Sequence, residues 1–367
     1  MFPSKNRISI FLMSCVVTAT ASENICEKLS PKPSEVTEFY ENNQTYFASD
    51  SNLEDWKLAT PESQGMQSQR LDAGAIALTT SSRTLSFLVL KNDALVYERY
   101  FNGSQINHSH NIHSTSKSLL GGLIGIAIRE GYIRSIDTKI HDILSDEFSV
   151  PLLKRNSTVR QLLTMTSGSH WIEDETEDQI ETQPNWIQAI LNLAQIHIAG
   201  KHFNYSTGNT HLLSAVLTKA SHLSTCDFAV KYLFHPVGID FQHWGRDPQG
   251  FFSGGYNLYL TPRNLLKLGK LYLQNGIWKG QAVIPTEWIQ QSFTPAVQTD
   301  HPEYNYGYLF WITSIQGHRV YKMWGHGGQF VYLIPDQSLT VVITTDTQTP
   351  SPELDGDTFI ANYLLSK

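Results

Sequence analysis

The chain has 367 residues, of which 41% are hydrophobic and only 17% charged, with a formal net charge of −7. That length buries a sizeable core, in two domains or one elaborate one. The acidic balance excludes a phosphate-binding surface, which needs a basic patch, so nucleic acid is not an expected partner.

Residues 1–21 read as a signal peptide. Lys5 and Arg7 form a short positive region, Ile8 to Val17 an apolar run, and Ala19-Thr20-Ala21 a small-residue cleavage site. The run is too short to span a bilayer, so no stable membrane span is expected after cleavage. The protein is expected to be exported, periplasmic or secreted. Lipoprotein anchoring at Cys15 is disfavoured, because Val16 and Val17 carry the apolar run past the cysteine. Cleavage removes Lys5 and Arg7 and takes the net charge to about −9. It also leaves only Cys26 and Cys226, whose pairing the spacing leaves open. Residues 22–53 are polar and read as an N-terminal arm ahead of a folded domain over 54–367. Asn-x-Ser/Thr triplets begin at Asn43, Asn102, Asn107, Asn156 and Asn204, and matter only in a host that glycosylates exported proteins.

A hairpin is expected from Phe87-Leu88-Val89-Leu90 through an Asn92-Asp93 turn to Ala94–Glu98. A helix over Ser118–Arg129 follows, apolar nearly all round and therefore central, ending near Gly131. Residues 136–250 read as mainly helical and irregular, and Pro262–Leu273 as a helix capped by Thr261. Strands are expected at Tyr308–Thr313, Arg319–Trp324, Gln329–Ile334 and Leu339–Thr345, with a turn at Pro335–Ser338 and a last helix over Leu354–Leu365. The pattern predicts an α/β (α+β) fold. An antiparallel sheet is built from both chain ends (about 54–135 and 251–367) and flanked by helices, with an inserted, mainly helical region at about 136–250.

Three motifs carry chemistry. Ser114-Thr115-Ser116-Lys117 opens the apolar helix, and residues three apart share a helical face. Burial lowers a lysine's pKa, so Lys117 can take the Ser114 proton. The helix N-terminus adds N–H donors where negative charge develops. Tyr205-Ser206-Thr207 is the second motif, and Trp324-Gly325-His326-Gly327-Gly328-Gln329 the third. An S-x-x-K tetrad, a tyrosine triplet and a glycine-rich strand in this order resemble the serine beta-lactamase and penicillin-binding-protein superfamily. Within it, the chain is most similar to class C-like esterases and the 6-aminohexanoate-dimer hydrolase group. Trp56–Gly65, Leu162–Gly168 and Leu265–Trp278 extend the resemblance over about residues 54–367.

The resemblance implies a serine hydrolase that cleaves an ester, amide or peptide through an acyl-enzyme and needs no metal or organic cofactor. Ser114 is its nucleophile, Lys117 the base and Tyr205 the proton-passing phenol. The backbone N–H groups of Ser114 and Gln329 form the oxyanion hole, and His326-Gly327-Gly328 lines the cleft. Two departures stand out. Thr207 replaces an asparagine, leaving a hydroxyl or the nearby Asn209 to bind substrate, and His326 replaces a lysine suited to the penicillin carboxylate. Both argue against efficient beta-lactam hydrolysis. The alternatives are a D-Ala-D-Ala peptidase or beta-lactamase-like activity, and a non-catalytic binder of cell-wall peptides. Trp171 is a stacking platform for substrate or a packing residue. The acidic run Glu173, Asp174, Glu175, Glu177, Asp178, Glu181 is a solvated face or a selector at the cleft mouth. His108, His110 and His113 have a weak metal spacing with no downstream partner set.

Overall fold

The computed structural model describes residues 25–30, 46–47, 56–80, 83–348 and 354–365. The expected signal peptide and its Cys15, and the arm apart from 25–30 and 46–47, lie outside the described residues. The strands are β1 (Tyr46–Phe47), β2 (Thr84–Lys91), β3 (Ala94–Tyr100), β4 (His108–Asn111), β5 (Phe241–Trp244), β6 (Leu258–Leu260) and the short hairpin β7 (Ile277–Trp278) and β8 (Gln281–Ala282). They continue with β9 (Val297–Gln298), β10 (Asn305–Tyr306), β11 (Trp311–Ile315), β12 (His318–Gly325), β13 (Gln329–Ile334) and β14 (Leu339–Thr345). Helices flank them: α1 (Ile25–Leu29), α2 (Ser68–Thr79), α3 (Thr115–Arg129), α4 (His141–Leu144), α5 (Val159–Leu163), α6 (Glu175–Glu181) and α7 (Trp186–Asn192). The rest are α8 (Thr207–Ser221), α9 (Thr225–Ala229), α10 (His235–Val237), α11 (Pro262–Leu273), α12 (Thr286–Ser292) and α13 (Gly356–Tyr363).

The main sheet has eight strands in the order β3-β2-β14-β13-β12-β11-β10-β9. The N-terminal hairpin is thus stitched onto the C-terminal meander through β2 and β14, which run antiparallel from Leu339↔Lys91 to Ile343↔Phe87. The sheet is built from both chain ends, as the pattern predicted. Asn92 and Asp93 both take the left-handed conformation (φ 50° and 64°) that a two-residue hairpin turn requires. Alternation along β2 divides its side chains between two layers. Phe87 and Val89 join Leu71, Phe359 and Ile360 beneath α2 and α13, whereas Leu88 and Leu90 face the larger core with α3 and α11. A second sheet, β1-β4-β6-β5, leads into α3.

Thr261 caps α11 by accepting the Asn264 N–H, and α3 is buried from Thr115 to Ala127. One strand starts later than its apolar run. Tyr308–Phe310 forms a turn with Leu309 at φ 60°, and β11 begins at Trp311. The reason is local: Ser118 donates to the Leu309 carbonyl at 2.6 Å, so the segment bonds to α3 instead of the ladder. The last helix is two residues shorter at each end than expected, and its cap is Asp355. Residues 25–30 are docked on the helical region. Cys26 and Cys226 form a disulfide with Cα atoms 5.9 Å apart, and Arg246 donates to the Cys26 carbonyl. Among the described residues no helix is long and apolar enough to cross a membrane.

Candidate active site

The chain leaves β4, turns at His113 (φ 44°) and enters α3 with Ser114 in the N-cap position. One turn on, Lys117 lies on the same face, its Nζ 2.7 Å from Ser114 Oγ. The Lys117 ammonium is almost entirely buried, at 1% exposure. Its other neighbours are Thr207 Oγ1 at 2.9 Å and the Gly255 carbonyl at 3.2 Å. A side chain at Gly255 would stand 2.8 Å from that amine, so glycine is what lets this carbonyl approach. Burial holds Lys117 below the usual lysine range, opposed by Glu173, Glu177 and Asp174.

Tyr205 lies just before α8, its ring stacked on Trp311 with centroids 5.5 Å apart and Lys117 Nζ 5.1 Å from its centre. Burial first, then Tyr306 and Glu173, push its phenol well above the ordinary range, while a hydrogen bond with Ser114 pulls the other way. Of the two candidate bases, therefore, the lysine loses its proton more easily and the tyrosine keeps it.

Ser114, Tyr205 and Thr207 open into a cavity of about 630 Å³, with His113, Tyr256, Trp311, Trp324, Gly325 and His326 in its walls. Glu173, Asp174, Glu177, Asp178 and Glu181 form one side; Glu175 does not line it. The acidic run is thus a cavity wall, and no Lys or Arg is among the lining residues. Burial first, then Glu173, pushes the Glu177 carboxyl up to about 8. Tyr256 donates to Glu181. The His113 and His326 rings meet at 5.6 Å, and burial, then His326 and Lys117, press His113 down to about 3, leaving it neutral. His110 is held by Ser104 and Thr344, away from the other two histidines' cavity face.

Ser114, Lys117, Tyr205, Thr207 and His326 come together, but five other expected site residues do not reach the cavity. Asn209 is buried inside α8, where it accompanies the Ser206 cap and its amide donates to Met165 Sδ at 3.7 Å. Trp171 packs its ring against Gly208, donates Nε1 to Glu173 at 2.5 Å and is not among the residues that line the cavity. Gly327 and Gly328 (φ 74° and 102°) form the turn between β12 and β13. Beyond that turn Gln329 is fully buried, laddered to Gly325, with its side-chain amide on Thr345. The cavity wall is instead the end of β12 and His326, because the chain reverses immediately after it. Among the described residues no hydrogen bond takes up the backbone N–H of Ser114 or of His326.

Sequence reading missed Gly255 and the contact of Glu173 with Thr207. The Gly254-Gly255 pair just ahead of β6 was the available signal for the first. The second joins residues 34 apart across two elements and leaves no local pattern.

The beta-lactamase family model matches residues 62–365. The 6-aminohexanoate-dimer hydrolase of Paenarthrobacter ureafaciens is 24% identical over 313 residues, which cover 74% of this chain and 76% of that one. A Bacillus anthracis protein named after the same hydrolase superposes with a TM-score of 0.71 at 18% identity, covering 86% of this chain and 88% of its own. EstCE1, a hydrolase with promiscuous acyltransferase activity, gives 0.65 at 13% identity over 81% and 98% of the two chains. At such identities the structural likeness speaks for the fold alone.

Proposed function

The chain belongs to the beta-lactamase family of serine hydrolases, and on that premise we propose that it cleaves an ester or amide through a covalent acyl-enzyme on Ser114. The observation that carries this reading is the buried Lys117 amine 2.7 Å from Ser114 Oγ. Lys117 takes the hydroxyl proton as Oγ attacks the substrate carbonyl, and the resulting oxyanion is met by the backbone N–H groups of Ser114 and His326. His326 takes over the donor role that the sequence motif assigned to Gln329. Tyr205, held as a phenol, gives its proton to the departing alkoxide or amine and is reprotonated from Lys117. Water then attacks the ester carbonyl of the acyl-enzyme and returns a proton to Ser114 Oγ along the same groups.

The acidic wall favours neutral or amine-bearing substrates. It weighs against penicillins and against peptides ending in a free carboxylate, since the lining contains no Lys or Arg. The test is a fluorophosphonate probe with mass mapping, followed by chromogenic short acyl esters, a cephalosporin and an aminohexanoate dimer. Labelling at Ser114 with turnover of esters or amides is the expected result. An unlabelled serine would leave the non-catalytic peptide binder as the better account.

Export belongs to the same proposal. It is supported by the signal-peptide pattern of residues 1–21 and by the Cys26–Cys226 disulfide, a bond that persists in oxidising compartments. Edman sequencing of secreted material should start at Ser22; retention in the cytosol with an intact N-terminus would count against it.

A further inference from the structure

The Thr207 hydroxyl is ambiguous in a way that matters to Lys117. A hydroxyl can accept from a neutral amine or donate to it. Donation would occupy the amine lone pair, the only site that can receive the Ser114 proton. The structure removes that ambiguity. The Glu173 carboxylate takes the Thr207 hydroxyl on Oε1, and on Oε2 it takes the Thr207 backbone N–H at 3.0 Å. Trp171 Nε1 donates to the same Oε2 at 2.5 Å and fixes the carboxylate from behind. An ionised carboxylate only accepts, so Thr207 donates to Glu173 and turns a lone pair toward Lys117 Nζ at 2.9 Å. The Gly255 carbonyl, at 3.2 Å, is a second obligatory acceptor. Both N–H bonds of a neutral Lys117 are then engaged, and its lone pair faces Ser114 Oγ at 2.7 Å.

We propose that Glu173, acting through Thr207, is a positioning residue that holds the Lys117 amine in the one orientation able to receive the Ser114 proton. The proposal rests on the acyl-enzyme reading above. The titratable groups around Lys117 are Glu173, Asp174 and Glu177 from the acidic segment and His113 from the turn before α3. Tyr205 faces it from ahead of α8, and Tyr256 follows Gly255. Of these, Glu173 is the one bonded to Thr207, the hydroxyl partner that orients the amine from the side away from Ser114. Replacing it by glutamine keeps the size, removes the charge and adds an NH2 that can donate to Thr207, so the hydroxyl is free to turn toward the amine.

The experiment begins with fluorophosphonate labelling of the wild type. If Ser114 does not label, the acyl-enzyme reading fails and this proposal with it; if it labels, the remaining outcomes bear on Glu173 alone. In Glu173→Gln, kcat should fall roughly tenfold to a hundredfold with KM little changed. The acid limb of the kcat/KM profile should move to lower pH, because a negative charge that favoured protonated Lys117 is gone. Glu173→Asp should recover part of the loss. Thr207→Val breaks the link from the other side and should lower kcat comparably. Adding Glu173→Gln to Thr207→Val should then cost no more than about threefold further. A Glu173→Gln enzyme with wild-type kcat, a loss confined to KM with an unmoved acid limb, or losses that multiply in the double variant would each overturn the proposal. Should Glu173→Gln not fold, Thr207→Val decides alone: an undiminished kcat overturns the relay.

Discussion

Ser114→Ala removes one oxygen and leaves almost no cavity, so the folded protein should persist while acyl transfer falls by on the order of 10⁴-fold or more. Purified Ser114→Ala with substantial turnover would end the assignment. Lys117→Arg keeps the positive charge but cannot become neutral at working pH. It should lose roughly 10²- to 10⁴-fold in kcat, and a near-wild-type rate would show that the lysine is not the base. The sign of the pH dependence follows from the same group. As the proposed base Lys117 must be deprotonated, so activity should rise with pH through its pKa, and burial should move that rise to lower pH than an exposed lysine would give. An acid limb at the position of a free amine would contradict this. What the sequence disclosed at this scale is bounded by helix geometry. Ser114 and Lys117 were legible because three residues on a helix share a face, and Thr207 and His326 because they sit beside recognisable motifs. Asn209 does not line the cavity, because two residues beyond Thr207 the α8 helix turns its side chain onto Met165. Gln329 lies behind the cavity wall because the chain reverses between His326 and Gln329, a turn that a linear motif does not reveal.

Among elements, α6 and the residues just ahead of it set the charge of the cavity. With Glu177 held near pH 8 by burial and by Glu173, it is a neutral acid below that pH and an anion above it. The negative potential of the wall therefore grows as pH rises through about 8. The expected consequence is that the kcat/KM ratio of a cationic ester to an anionic one increases across that range. The effect amounts to several-fold, about 1 kcal/mol, and shrinks with added salt. Changing Asp174→Asn, Glu177→Gln, Asp178→Asn and Glu181→Gln together, with Glu173 left in place, should flatten the ratio. A ratio that moves neither with pH nor with these changes would reduce the wall to a solvated face. Elements with a clear period were the most legible: the β2–β3 hairpin, α3, α11 and the β13–β14 pair fall where the apolar pattern puts them. The start of β11 escaped because a hydrogen bond from Ser118 outweighs the β-propensity of Tyr308-Leu309-Phe310.

Across the whole molecule, the two halves of the sheet are far apart in sequence, and the helical region is inserted between them. Period and element order predicted that arrangement, but neither could place residues 25–30, which are held by long-range contacts alone: the Cys26–Cys226 disulfide and hydrogen bonds from Arg246 and Trp244. The Cys26–Cys226 disulfide closes a separation of 200 residues. In the chain-entropy account a loop of that size restricts the unfolded ensemble by roughly 5 kcal/mol, and native proteins commonly show 2–5. The bond joins α1 to α9, which packs against α8, and neither cysteine lines the cavity. Its removal should therefore act on stability and leave chemistry alone. Cys226→Ser, or the reduced wild type, should unfold at lower denaturant with a loss of about 2–5 kcal/mol. At 25 °C it should turn over esters at the wild-type kcat. Unfolding curves that coincide with and without reductant would mean that α1 is an appendage whose attachment contributes nothing. A matching fall in kcat under conditions where the protein remains folded would mean instead that the α8–α9 packing transmits strain to Thr207, and would make the arm part of the active-site scaffold.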